Sequence, residues 1–76
     1  MAFTFESDIN YEITPEQVNQ FAMEHGCNAT LLQEFGPAGG NPVYKFTSTS
    51  YDCLEELAFQ IYGDDYEFVT TIINEV

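Results

Sequence analysis

Two adjacent carboxylates follow a glycine in Tyr62-Gly63-Asp64-Asp65, and a third, Glu67, comes two residues later. Oxygen ligands crowded in this way can hold Mg²⁺ or Ca²⁺. The run lacks the alternating ligands and mid-loop glycine of a twelve-residue calcium loop, so acids that complement the start of a helix explain it more simply. A second group, Glu24, His25, Cys27 and Cys53, has zinc-binding donor types but none of the usual pair spacings. His25 is the only imidazole, and it reads as a partly buried structural residue near a helix end. No Lys or Arg stands beside the acid-rich turn to stabilise an oxyanion or a phosphoryl group. Gly36 to Pro42 is glycine-rich, yet it lacks the Lys and the Ser or Thr of a phosphate-binding loop, and its prolines remove amide donors. It reads as a stiff hairpin loop, with partner contact as the other use for it. No catalytic residue, metal ligand or cofactor is assigned, and the chain is not expected to be an enzyme.

Charge is what remains. Thirteen acids face one Lys, Lys45, and no Arg, for a formal net charge of -12 over 76 residues. Direct nucleic-acid binding needs clustered Lys and Arg, and anionic membrane surfaces need them too, so both are excluded as partners. A basic surface on another protein, or a cation, is the expected partner. The residues expected to meet it are Asp52, Glu55, Glu56, Asp64, Asp65 and Glu67, with Glu16 and Glu24 as neighbours. Tyr51, Tyr62 and Tyr66 interleave with these acids and are expected to be exposed, a residue type that interfaces favour. Asp52 and Glu56 lie one helical turn apart, about 6 Å along the axis. Duplex DNA likewise displays anions at short, regular intervals.

The elements that must position these acids are legible from periodicity. Leu54, Leu57, Ala58 and Ile61 recur at helical spacing over Tyr51 to Tyr62, which turns Asp52, Glu55 and Glu56 the other way. A further helix is expected from about Asp65, with Val69, Ile72, Ile73 and Val76 on one side and Asp64 as N-cap to Glu67. Phe3 to Ile13 alternates with period two except at Ser7 and reads as a strand with a bend near Ser7-Asp8, followed by extended chain; a hairpin turning at Glu6 to Asp8 is the other arrangement. Thr14, Pro15 and Gln17 spell an N-cap, a first helical residue and a capping-box partner, with Ile13 stapled onto Val18 and Gly26 ending that helix. Asn28 to Phe35 and Val43 to Thr47 form a hairpin.

Together these predict one α+β domain: a small antiparallel sheet of about three strands with helices on one face, in the order βαββαα. The alternative is a ferredoxin-like βαββαβ order, because Phe68 to Ile73 is β-branched and could be an edge strand. Seven Phe and five Tyr supply a core without metal or disulfide. Two cysteines, no secretory leader and no apolar run long enough to span a membrane lead to the expectation of a reduced, cytoplasmic protein.

Tyr62 to Asp65 also spells the metal-binding turn of viral RNA-dependent polymerases. The match ends with those four residues, since the further acids and basic residues of a polymerase have no counterpart here. By size, scarcity of Lys and Arg and helix-borne acids, the chain resembles the small acidic inhibitors that phages encode against host nucleic-acid-binding proteins: anti-restriction proteins, uracil-DNA glycosylase inhibitors and some anti-CRISPR proteins. The likeness is one of kind, without a shared motif, so no residue's role is carried over. It implies a nucleic-acid mimic that occupies a phosphate-binding channel. The alternative is an acidic interaction module or homodimer that uses an aromatic surface, with its acidity serving solubility.

Overall fold

Period-two alternation produces the central strand of the sheet, β1 (Phe3–Asp8). It pairs antiparallel with β3 (Val43–Ser48), setting Phe5 opposite Phe46 and Ser7 opposite Tyr44 on one face, and Glu6 opposite Lys45 on the other. The first set is buried, and the Phe5 and Phe46 rings stack with centroids 5.1 Å apart. The computed structural model describes residues 1–34 and 40–76. It adds β2 (Asn28–Gln33) beside β3, and a two-residue β4 (Asn74–Glu75) beside β1. All neighbours are antiparallel, in the order β2-β3-β1-β4.

Among the described residues three helices, α1 (Pro15–Glu24), α2 (Tyr51–Tyr62) and α3 (Tyr66–Ile72), complete an α+β fold in the order βαββααβ. Val18 and Ala22 of α1, Leu54, Leu57 and Ala58 of α2, and Val69 of α3 join Phe5, Tyr44 and Phe46 in one core. The opposite face of the sheet, with Thr4, Glu6, Lys45 and Thr47, holds none of these core residues.

Three expectations need correction. Ser7 causes no bend: the register runs unbroken through it, and its buried hydroxyl accepts a hydrogen bond from Tyr62 at 2.6 Å. The chain does not continue extended after Asp8 but turns at Asn10, whose carbonyl and side-chain oxygen accept from Ile13 and Glu12. The third concerns the last segment, which is helix and then strand. Asp65 caps α3, and the Thr70 and Thr71 hydroxyls donate back to the Tyr66 and Glu67 carbonyls. The β-branched run is thereby accommodated as helix. Ile73 then turns extended, Asn74 and Glu75 pair with β1, and Val76 is exposed instead of lying on a helical core stripe. A fourth strand results, at an edge that local pattern does not announce.

The Thr14–Pro15–Gln17 start of α1 has both hydrogen bonds of the capping box, at 3.2 and 2.9 Å. Gly26 follows its end at φ 71°, where a side chain would strain the backbone. No described helix is long and apolar enough to cross a membrane.

Candidate acidic interaction surface

Ser50 opens α2 by accepting from the Cys53 amide at 3.3 Å, and Gly63 closes it at φ 81° with its amide bonded to the Phe59 carbonyl. Between these caps the helix lays Leu54, Leu57 and Ala58 into the core. Each such side chain contributes about 1.5–3 kcal/mol of burial in the case of leucine, which holds the helix in one rotational setting. Asp52 and Glu56 are thereby turned to solvent. Glu55, one residue round the helix, is only half-exposed and lies beside Tyr51.

The tyrosines divide into two kinds, which corrects the expectation that all three are exposed. Tyr51 packs edge-on against Phe3 with centroids 5.3 Å apart. Burial pushes its phenol above the usual range, and the nearby Glu55 carboxylate and Tyr66 phenol push it further. Tyr62 ties the end of α2 to β1 through Ser7, and its ring meets Phe68 edge-on at 4.9 Å. Both are half-buried. Tyr66 is the exposed one, at 62%, stacked over Phe59 with centroids 6.3 Å apart. Phe59 is not among the residues that local pattern singles out, although it falls four residues after Glu55 and therefore shares that flank of the helix.

Tyr62 to Asp65 is a junction between two helices, not the hairpin of a polymerase. Asp64 is exposed, and its carbonyl accepts from the Tyr66 amide at 3.0 Å. This delays the helix start by one residue. Asp65, not Asp64, is the N-cap, its carboxylate accepting from the Phe68 amide at 3.2 Å. The reciprocal partner expected at Glu67 is therefore lost, and Glu67 is left exposed in the first turn. Negative charge there is favourable to the helix dipole.

Glu16 and Glu24 are exposed on α1, on a face shared with Asn19, Gln20 and Met23 of the same helix. A cleft of about 440 Å³, lined by Gln17, Val18 and Phe21 from α1 and by Gln60 and Ile61 from α2, opens between the two helices. The zinc-type group is also spent on structure. His25 has its Nδ1 3.0 Å from the Phe21 carbonyl, and burial pushes the Cys27 thiol up, away from the thiolate a metal needs. Among the described residues, no three His, Cys, Asp or Glu side chains converge as a metal site. Most of the Gly36 to Pro42 loop lies outside the described residues. Of the acids expected to meet a partner, Asp52 and Glu56 are thus exposed on α2, and Asp64, Asp65 and Glu67 are exposed at the junction with α3 and in its first turn.

The chain matches no protein-family model, no curated protein and no solved structure.

Proposed function

We propose that the protein acts without catalysis, by offering its acidic helices to the nucleic-acid-binding surface of another protein and so keeping DNA or RNA out. The observation that carries this reading is the exposure of Asp52 and Glu56 on α2, of Asp64 and Asp65 at the junction and of Glu67 in the first turn of α3, in a chain with one Lys and no Arg. A phosphate-binding cleft presents cations at the spacing of nucleic-acid phosphates, and carboxylates one helical turn apart, about 6 Å, can meet several of them at once. Tyr66 over Phe59 supplies an aromatic contact at the same place. Fixed helices lose little freedom on binding, and the field of the whole chain speeds encounter with a basic target. Targets of this kind include the nucleases and surveillance complexes that defend a cell against phage. The reading puts the protein in the cytoplasm, that of the host if a phage encodes it.

Displacement of a fluorescent duplex from a panel of purified nucleases and CRISPR-type complexes tests this. Wild type is expected to release the duplex from at least one of them at low salt and to lose potency as salt rises. Asp52→Lys/Glu56→Lys should raise the concentration needed by about tenfold or more, equivalent to some 1.4 kcal/mol. Equal potency of variant and wild type, or no release from any of the panel, counts against the proposal.

A further inference from the structure

The two edges of the sheet differ in a way that the acidic surface does not explain. β4 is two residues long and carries the exposed Glu75. Charge and brevity are the usual means by which an edge strand is kept from pairing with another chain. β2 has neither. It is six residues long, its sequence Asn28-Ala29-Thr30-Leu31-Leu32-Gln33 contains no charge and no proline, and five of the six side chains are exposed. Among the described residues nothing except β3 hydrogen-bonds to it.

Charge along the chain points to the same place. Of thirteen acids only Glu34 falls between residues 25 and 51, and so does Lys45, the only Lys or Arg. The hairpin region is therefore formally neutral, while the remaining residues carry every uncompensated acid. A basic partner would gain nothing by docking here. An acidic one would be repelled by the rest of the molecule, unless its own contact surface were neutral as well. A second copy of this chain meets that condition, because a two-fold axis at β2 brings neutral hairpin to neutral hairpin; α1, with Glu16 and Glu24, packs beside β2, while α2 packs on β3, β1 and α3 and carries its acids away from that edge.

We propose that the outer edge of β2 joins two copies of the chain, strand to strand and antiparallel, into one continuous sheet. The irregularity in register between Leu31 and Gln33 bounds the paired segment at Asn28–Leu31, about 13 Å of strand at 3.3 Å per residue. Leu31 and Leu32 lie at its end, 37% and 44% exposed, and each copy covers those of the other. Two faces of acidic helices are then displayed per assembly. The inference does not rest on the proposed function. It also has the opposite salt dependence: residual repulsion between two chains of net charge -12 is screened as salt rises, so the pairing tightens, whereas attraction to a basic partner weakens.

Sedimentation equilibrium of the full chain over a concentration series, at low and at high salt, is the test. Wild type is expected to approach twice the 8.6 kDa chain mass, at lower concentration in high salt. Asn28→Glu/Leu32→Glu, with circular dichroism to establish folding, should remain at the single-chain mass. Thr30→Glu, set opposite Lys45 on β3 and so compatible with the folded hairpin, should do the same. Asn74→Lys at the other edge should leave the doubled mass intact. The proposal is overturned if wild type keeps the single-chain mass at every concentration in high salt, if either folded β2 variant still pairs, or if Asn74→Lys abolishes pairing.

Discussion

The stretch from Tyr51 to Glu67 carries six carboxylates and no cation, while the hairpin from Asn28 to Ser48 carries one acid and one lysine. Both pack on the same core, through Leu54, Leu57 and Ala58 on one side and Tyr44 and Phe46 on the other. Burial is thus common to the two regions and cannot be what separates them. Their outward surfaces differ in what they can meet. Carboxylates held on helices attract cations at a distance, whereas an uncharged strand edge attracts only at contact, through backbone hydrogen bonds and apolar side chains. A chain with this much negative charge has few places where like can approach like, and the hairpin is one of them.

The comparison breaks first where the helical region is anchored. Leu57→Ala should cost about 2–5 kcal/mol in urea unfolding, because a fully buried side chain leaves a cavity, whereas Leu32→Ala at the half-exposed strand should cost under about 0.5 kcal/mol. Similar losses at both would mean that the hairpin is as covered as the helix. Next comes the tie between helix and sheet. Tyr62→Phe removes the donor to buried Ser7 and should cost about 1.5 kcal/mol by thermal unfolding, while Tyr66→Phe should change stability very little. Asp65→Ala takes away the N-cap of α3 and should cost about 1 kcal/mol, where Asp64→Ala should cost far less.

The smallest effect is an alkaline one. Burial raises the phenol of Tyr44 in the hairpin and of Tyr51 in the helix. A raised phenol keeps its proton in the folded chain after the unfolded chain has lost it. Its contribution is therefore whole below about pH 10, the ordinary tyrosine value, and is lost as pH rises through the folded value. Tyr44→Phe and Tyr51→Phe should each weaken the fall of stability above that pH, and an unchanged alkaline limb in both would contradict the assignment.

Much of this arrangement is legible in the amino-acid sequence, and what is not legible there has a common cause. The bounds of α2 and the capped start of α1 follow from residues within four positions of each other, such as Thr14 and Gln17 or Ser50 and Cys53. Ser7 misled because its partner, Tyr62, is 55 residues away. The last segment misled because β4 exists only where the open edge of β1 receives it, and Asp64 because the turn before α3 consumes its carbonyl. For the candidate surface, the outward turn of Asp52 and Glu56 was legible from helical period. The inward turn of Tyr51 and Tyr62 was not, since Phe3 and Ser7 lie on a strand at the other end of the sequence.

The central claim is that the acids of α2 and of the junction with α3 form one ordered surface that cations find before any other. A two-dimensional NMR titration of the isotope-labelled chain with a short oligolysine peptide at low salt measures this directly. Amide shifts are predicted to concentrate around Asp52, Glu56 and Asp64 to Glu67, with Asn28 to Leu31 unmoved and Glu16 and Glu24 moved less. Shifts spread evenly over all thirteen acids would contradict the account.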